Sequence, residues 1–351
     1  MGSSEPIFFA LKNRSIAMKK TAVILVNLGT PEAATKTGVS DFLKSFLSDS
    51  RVVEVPKLLW WFVLRCVVIP LRAKKVAKAY QEIWWEEGSP IRVLSERQVV
   101  ALQQKMDQEY GDNSAPRVFG AVSYGNPSLK DTIRELQDNK CIDGVEEGVE
   151  KFLIVPMYPQ YSGSTTGAIY DQIADIIHGA RNVPDISVIK AFYDDPGYIA
   201  ALAERVNSHW DQQGKSEKLF MSFHGIPQEY ADKGDPYEKH CQATAVALAE
   251  NLNLNPEDWA MGFQSRFGPK KWLQPSTEEH LLSWVKQGVK SVDVISPAFT
   301  ADCLETLEEL NIGYRDIFMT AGGENFSYIP CVNDSTLFIK FLEQLVKSRI
   351  N

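Results

Sequence analysis

Short apolar runs recur along the chain, each closed by a turn rich in Gly, Pro or Asn and followed by residues of helical periodicity. In the first half the runs predict strands at residues 22–26, 117–122, 152–155 and 186–191. In the second half they predict strands at 219–223, 260–263, 292–295 and, more weakly patterned, 327–329. Strands alternating with helical stretches predict an α/β protein with parallel sheets flanked by helices.

The two halves share their punctuation. The first strand runs into Asn27-Leu28-Gly29-Thr30-Pro31, and its counterpart into Phe223-His224-Gly225-Ile226-Pro227. The second leads through Ser123-Tyr124-Gly125-Asn126-Pro127, against Ser265-Arg266-Phe267-Gly268-Pro269. The third leads into Val155-Pro156-Met157-Tyr158, against Ser296-Pro297-Ala298-Phe299. Three matches in order predict an internal duplication, with a long extra segment at about 40–100 in the first half. Every matched motif follows a strand, so each belongs at the carboxyl edge of a sheet, where ligands of open parallel sheets bind. Two such edges facing each other predict an interdomain cleft.

Length supports this reading: 351 residues at roughly 150 per domain suggest two domains. Apolar residues at 44% and charged residues at 23% are ordinary for a globular chain. A net charge of −8 without a basic block argues against nucleic acid as partner. The five cysteines, Cys66, Cys141, Cys241, Cys303 and Cys331, include no C-x-x-C pair and read as reduced thiols of a cytoplasmic protein. Residues 1–19 read as a flexible N-terminal extension. The stretch from Leu58 to Leu71 is the most hydrophobic, but it is short and contains Arg65, so it does not span a bilayer. It reads either as a buried helix or as an exposed apolar lip touching a membrane or a greasy ligand. Trp60-Trp61-Phe62 and the flanking Arg72, Lys74 and Lys75 speak for the lip.

Dinucleotide, P-loop, HExxH and GxSxG signatures are absent from the sequence. What remains is His224 at a strand end, and an acidic run after the strand at 292–295. Read with helical spacing, Asp302, Glu305 and Glu309 share one face, with Glu308 beside them and Leu304, Leu307 and Leu310 opposite. Such acids either favour the helix dipole and face water, or line the cleft across from His224. One histidine with carboxylates suits a divalent first-row metal that is held and then released.

The run Ser222-Phe223-His224-Gly225-Ile226-Pro227, with Gly234-Asp235-Pro236-Tyr237 after it, resembles the signature of the ferrochelatases. So do Phe299-Thr300-Ala301-Asp302-Cys303-Leu304-Glu305-Thr306-Leu307, the opening Leu25 to Pro31, the loop Pro156 to Ser162 and Phe263 to Gly268. The likeness covers about residues 20–345 and is greatest to the bacterial, protoporphyrin-type members. It implies two Rossmann-like domains, each a four-stranded parallel sheet flanked by helices, around a porphyrin cleft. The first would comprise 20–190 plus a C-terminal helix region at 322–351, and the second 191–321.

The resemblance implies a lyase that inserts Fe²⁺ into protoporphyrin IX, releases two protons and forms haem b, the terminal step of haem biosynthesis. His224 and Glu305 match the family's metal-binding and catalytic pair. Leu28, Arg72, Tyr80, Ser89, Tyr124 and Tyr158 fall at porphyrin-binding positions. Asp302, Glu308 and Glu309 are candidates for a proton or metal path. No permanently bound cofactor is expected. Relatives with an iron–sulfur cluster use Cys where this chain has Gly163, and no Cys follows Cys331, so the cluster is expected to be absent. Animal members have His in place of Cys303. Coproporphyrin-type relatives carry Tyr at the position of Leu28. Expected partners are protoporphyrin IX and Fe²⁺, with peripheral contact at the inner membrane face through the lip. A cobalt chelatase acting on a corrin precursor and a haem carrier are the rival readings.

Overall fold

The computed structural model describes residues 20–111, 114–138 and 148–350. The predicted extension at 1–19 and Cys141 lie outside the described residues.

The first half opens with β1 (Thr21–Asn27), then α1 (Lys36–Leu47) and α2 (Lys57–Val63). A π-helical turn at Leu64–Val68 joins α2 to α3 (Ile69–Ile83), and α4 (Pro90–Tyr110) follows. Next come β2 (Arg117–Val122), α5 (Leu129–Gln137), β3 (Lys151–Pro156), α6 (Thr166–Ile177) and β4 (Asp185–Val188). The long helix α7 (Pro196–Gln213) leads to β5 (Lys218–His224), the short α8 (Gln228–Asp232) and α9 (Tyr237–Asn251). Then follow β6 (Trp259–Gln264), α10 (Thr277–Lys286), β7 (Ser291–Ile295) and a π-helix at Glu305–Tyr314. The chain closes with α11 (Arg315–Thr320), β8 (Asn325–Ile329) and α12 (Thr336–Ile350).

Two four-stranded sheets result, ordered β2-β1-β3-β4 and β6-β5-β7-β8, with every pairing parallel. The orders are identical when the strands of each half are counted from its start, as an internal duplication requires. All seven residues of β1 are buried, which fits its continuous apolar run: a central parallel strand is covered on both faces. Short polar residues start the helices. Thr35 accepts the Gly38 N–H at α1, Ser128 the Asp131 N–H at α5, and Asp195 the Gly197 N–H at α7.

α12 returns to the first half, where it packs on α4 and β3 as well as on α7. Phe338, Ile339, Phe341 and Leu342 enter one core with Leu102, Met106, Tyr198 and Leu202. The expected hand-over at residue 322 is corrected by one strand: β8 pairs with β7 in the second sheet, so the returning segment begins after Ile329.

The ambiguity at Leu58 to Leu71 resolves into an exposed lip. Leu58 is 75% exposed and Leu71 73%, with Leu59, Trp61, Phe62 and Val67 also open to solvent. Leu64 and Ile69 insert into a cluster with Val39, Ala73, Ala77 and Tyr80, and the partly buried Trp60 and Val68 pack against it. Trp60 Nε1 donates to Leu47 O at 2.6 Å and ties the lip to α1. No helix among the described residues is long and apolar enough to cross a membrane.

Candidate active site

The carboxyl end of β1, the start of α4, and the loops after β3 and β7 line one narrow cavity. Asn27, Leu28, Ile91, Met157 and Tyr158 line it from the first half. Ala298, Phe299, Thr300, Ala301, Cys303 and Glu305 line it from the second. The free space is about 320 Å³, open mouth included. A larger hollow between α7 and the end of α9 is a shallow polar dish lined by Glu204, Asn207 and Asp211, away from every strand's carboxyl end.

The turn after β1 needs its glycine. Gly29 has φ +102°, and a Cβ there would lie 1.8 Å from Tyr124 O. Close backbone packing between the β1 and β2 loops thereby sets Leu28 at the cavity. Gly225 serves β5 likewise, since a Cβ would meet Gln264 O at 2.7 Å.

His224 ends β5, half-buried. Its Nδ1 lies 2.7 Å from Gly225 O. A carbonyl only accepts, so Nδ1 carries the proton, and Nε2 of the neutral ring keeps its lone pair. The imidazole meets Phe299 edge-on, with centroids 6.4 Å apart. Phe299 and Glu305 share the cavity wall, so the histidine packs on a residue of the wall that Glu305 also lines.

Gln264 joins them, and sequence reasoning passed it over. It is the β6 register partner of His224. Its Nε2 donates to Glu305 O at 2.8 Å and to Glu309 Oε2 at 3.1 Å, while Oε1 accepts from Ser222 Oγ at 2.8 Å. Its place at a strand end inside a quoted motif was the available signal. Met157, Ile91 and Phe299 were likewise missed as cavity walls, because apolar loop residues carry no chemical mark.

The expected acidic face is corrected. The helix begins at Glu305 and is π-wound with i→i+5 bonds, so spacing based on 3.6 residues per turn does not apply. Glu305 alone of the four acids lines the cavity. Glu309 is taken up by Ser265 N and Oγ and by Gln264. Glu308 lies toward α3: burial, then the charges of Glu309 and Glu82, raise its pKa against the pull of Lys75. Asp302 precedes the helix, is buried, and points to Tyr328, Thr306 and Asn333. Of the leucine stripe, Leu310 is fully buried, while Leu304 and Leu307 are half-buried against the α1–α3 cluster.

The remaining expected residues fall in three places. Leu28 and Tyr158 line the cavity, and the buried Tyr158 hydroxyl has no hydrogen-bond partner among the described residues. Tyr80 and Ser89 are buried behind it. Ser89 Oγ accepts from Thr30 Oγ1 at 2.8 Å, and burial, then the Glu305 charge, drives the Tyr80 phenol's pKa far up. Tyr80 therefore stays a neutral hydrogen-bond donor. Arg72 is not among the lining residues; its guanidinium lies 4.2 Å from the Phe267 ring centroid, joining the first half to the second. Tyr124 turns away from the cavity: its hydroxyl donates to Asp49 Oδ2 at 2.7 Å and its ring packs on Phe46.

Among the described residues, no three His, Cys, Asp or Glu side chains converge as a metal cage. A metal meeting His224 and Glu305 would take its other ligands from substrate or solvent. The described cysteines are unpaired thiols; burial pushes the Cys303 thiol well up, so it stays protonated at the cavity wall.

Residues 20–350 match the family model described as Ferrochelatase. The chain belongs to the ferrochelatase family. A ferrochelatase of Acinetobacter baumannii (strain ACICU) is 46% identical over 332 residues, covering 95% of each chain. One from Vibrio atlanticus (strain LGP32) is 45% identical over 328 residues, covering 93% of this chain and 98% of the relative. Among solved structures, the sirohydrochlorin chelatase SirB from Bacillus subtilis subspecies spizizenii, in complex with cobalt, superposes with a TM-score of 0.51. It is 10% identical and covers 93% of this chain and 94% of its own. At that identity the likeness speaks to the fold alone: two parallel sheets flanked by helices, shared with chelatases. As a ferrochelatase, the chain carries out metal insertion into a porphyrin.

Proposed function

We propose that this ferrochelatase inserts Fe²⁺ into protoporphyrin IX, releases two protons and forms haem b, as a lyase closing haem biosynthesis. The observation that carries the reading is the imidazole of His224 packed edge-on against Phe299, on the wall of the cavity that the carboxylate-bearing Glu305 also lines.

A flat porphyrin holds its nitrogen lone pairs in the ring plane and keeps two N–H protons. Metal entry therefore needs a bent ring, a proton acceptor and a delivered metal. A narrow slot can bend the ring at the expense of binding energy, a distortion toward the transition state. Nε2 of His224 accepts a pyrrole proton or ligates the incoming iron. Glu305 faces the same space and takes the second proton or the metal. Iron is substrate here, and two protein ligands hold it weakly enough to let it go.

Leu28 and Tyr158 form the wall against the macrocycle. Arg72 leaves the Phe267 ring to hold a propionate by a charge-assisted hydrogen bond. Tyr80 and Ser89 brace that wall through Thr30. Leu28 offers no ligating atom, and the lip of Leu58, Leu59, Trp61 and Phe62 suits the vinyl edges of protoporphyrin. Burial there gains roughly 25 cal/mol per Å². The same lip, flanked by Lys74 and Lys75, would rest on the headgroups of the inner membrane face, with the rest of the protein in the cytoplasm.

The test is anaerobic metallation with Fe²⁺ and an equimolar mixture of protoporphyrin IX and coproporphyrin III. The expected result is a higher specificity constant for protoporphyrin IX. A preference for coproporphyrin III contradicts the substrate, and cobalt insertion into a corrin precursor without any haem contradicts the reaction. Co-flotation with anionic vesicles, lost on Leu58→Ser with Phe62→Ser, checks the membrane contact.

A further inference from the structure

We propose that Asp302 is a positioning residue: with Asn333 and Tyr328 it forms a buried clamp that sets the Glu305 helix against the first half of the molecule. The inference rests on the role proposed for Glu305. Asp302 is 4% exposed, three residues before Glu305, and both of its oxygens are occupied. Oδ1 accepts from the Tyr328 hydroxyl, from Thr306 Oγ1 at 3.1 Å and from the Cys331 N–H at 3.3 Å. Oδ2 accepts from Asn333 Nδ2 at 2.7 Å. In return, Asn333 Oδ1 accepts the Asp302 N–H at 2.9 Å. Thr306, next to Glu305, also accepts the Cys303 N–H at 2.9 Å. The first residues of the π-helix are thus tied on both sides of Glu305.

The clamp extends across the cleft. Gln98, fully buried on α4, donates Nε2 to Thr300 O at 2.8 Å and to Asn333 O at 2.9 Å. Thr300 Oγ1 donates to Met157 O at 2.9 Å, behind Tyr158. Hydrogen bonds therefore run from the first half's cavity wall to the residue that bonds Asp302. A carboxylate with three fixed donors on Oδ1 and one on Oδ2 holds a shape.

The reciprocal pair makes the inference testable. The backbone N–H of residue 302 only donates, which fixes Asn333 Oδ1 toward it and Nδ2 toward the Asp302 carboxylate. In Asp302→Asn, the new amide turns its NH₂ either against Asn333 Nδ2 or, rotated by 180°, against the Cys331 N–H, which only donates. Flipping the Asn333 amide relieves the first contact but sets its NH₂ against the backbone N–H. One donor–donor clash remains either way. Adding Asn333→Asp removes it, because a carboxylate at 333 accepts both donors.

Metallation, porphyrin affinity and thermal melts are measured for wild type, Asp302→Asn, the double variant Asp302→Asn with Asn333→Asp, Tyr328→Phe and Glu305→Gln. Asp302→Asn should lower kcat roughly 10–100-fold, with porphyrin Kd unchanged and both limbs of the pH–rate profile kept. The double variant should recover most of that loss, a coupling between contacting residues. A double variant no faster than the single one overturns the inference, as does an Asp302→Asn profile that has lost one ionisation. If Asp302→Asn does not fold, Tyr328→Phe decides: reduced kcat at unchanged Kd supports the clamp, and wild-type kcat contradicts it. Wild-type turnover in Glu305→Gln instead brings down the role proposed for Glu305. A slow Glu305→Gln beside a wild-type Asp302→Asn brings down the clamp alone.

Discussion

The last rung of each central strand can be compared directly. In the first sheet Asn27 faces Val122; in the second, His224 faces Gln264. Asn27 turns its polar atoms on its own surroundings: Oδ1 accepts the Leu28 N–H at 2.9 Å and Nδ2 donates to Ser95 Oγ at 3.2 Å. Among the described residues, His224 bonds its neighbour's carbonyl through Nδ1 and shows no partner at Nε2. Gln264 in turn holds the backbone of Glu305. One scaffold used twice has thus diverged at equivalent positions. The first half contributes a mainly apolar wall, and the second contributes His224 and Glu305, the groups to which the proposed function gives the exchange of protons or metal.

The comparison breaks most sharply at the paired rungs. His224→Ala should lower metallation by about 10²–10⁴-fold, the range for a lost acid–base group. Asn27→Ala should instead cost about 1 kcal/mol of stability and leave kcat near wild type. Anaerobic assays and melts of the two variants side by side check this, and similar kcat losses would remove the distinction between the halves.

Glu305→Gln comes next, with an expected loss on the order of 10²-fold in kcat. Glu308→Gln should lose less, because Glu308 lies toward α3 and outside the cavity lining. Equal losses would mean that the acids act through summed charge. Gln264→Ala leaves the reacting groups in place but frees the Glu305 backbone. A kcat about tenfold down with porphyrin Kd unchanged is expected for a lost supporting hydrogen bond.

The smallest effect is on stability. Glu308 has its pKa raised in the fold, by burial first and then by Glu309 and Glu82. A carboxyl group of that kind contributes fully below its unfolded value and loses the contribution as pH rises through the folded value. Glu308→Gln should therefore melt slightly higher than wild type at neutral pH, with the gap closing below about pH 4. A gap that widens with acidification would reverse the sign.

The inner strands were legible in the sequence because parallel strands covered on both faces are continuously apolar, as in β1 and β3, whereas the edge strand β4 is partly exposed and spans Asp185–Val188 rather than the expected 186–191. Their ends, rich in Gly and Pro, marked the cavity. Asp302 was misplaced for two physical reasons. It precedes the helix after β7, which begins at Glu305 and is π-wound, so helical spacing does not place it on a face with Glu305 and Glu309. Its carboxylate is also claimed by Tyr328, Cys331 and Asn333, contacts far along the chain that no local spacing encodes. Tyr124 misled similarly, since Asp49, from a distant loop, takes its hydroxyl. The lip was undecidable from composition: the residues between Leu58 and Leu71 would suit a core equally well, and their exposure follows from what fails to pack on them.

The division of labour is tested most directly by titrating protoporphyrin IX into His224→Ala and wild type without metal, following quenching of tryptophan fluorescence. Porphyrin affinities that match, with metallation lost in the variant, are expected. An affinity that falls in proportion to the metallation rate would show that His224 holds the macrocycle, and would contradict the assignment of binding to one half and chemistry to the other.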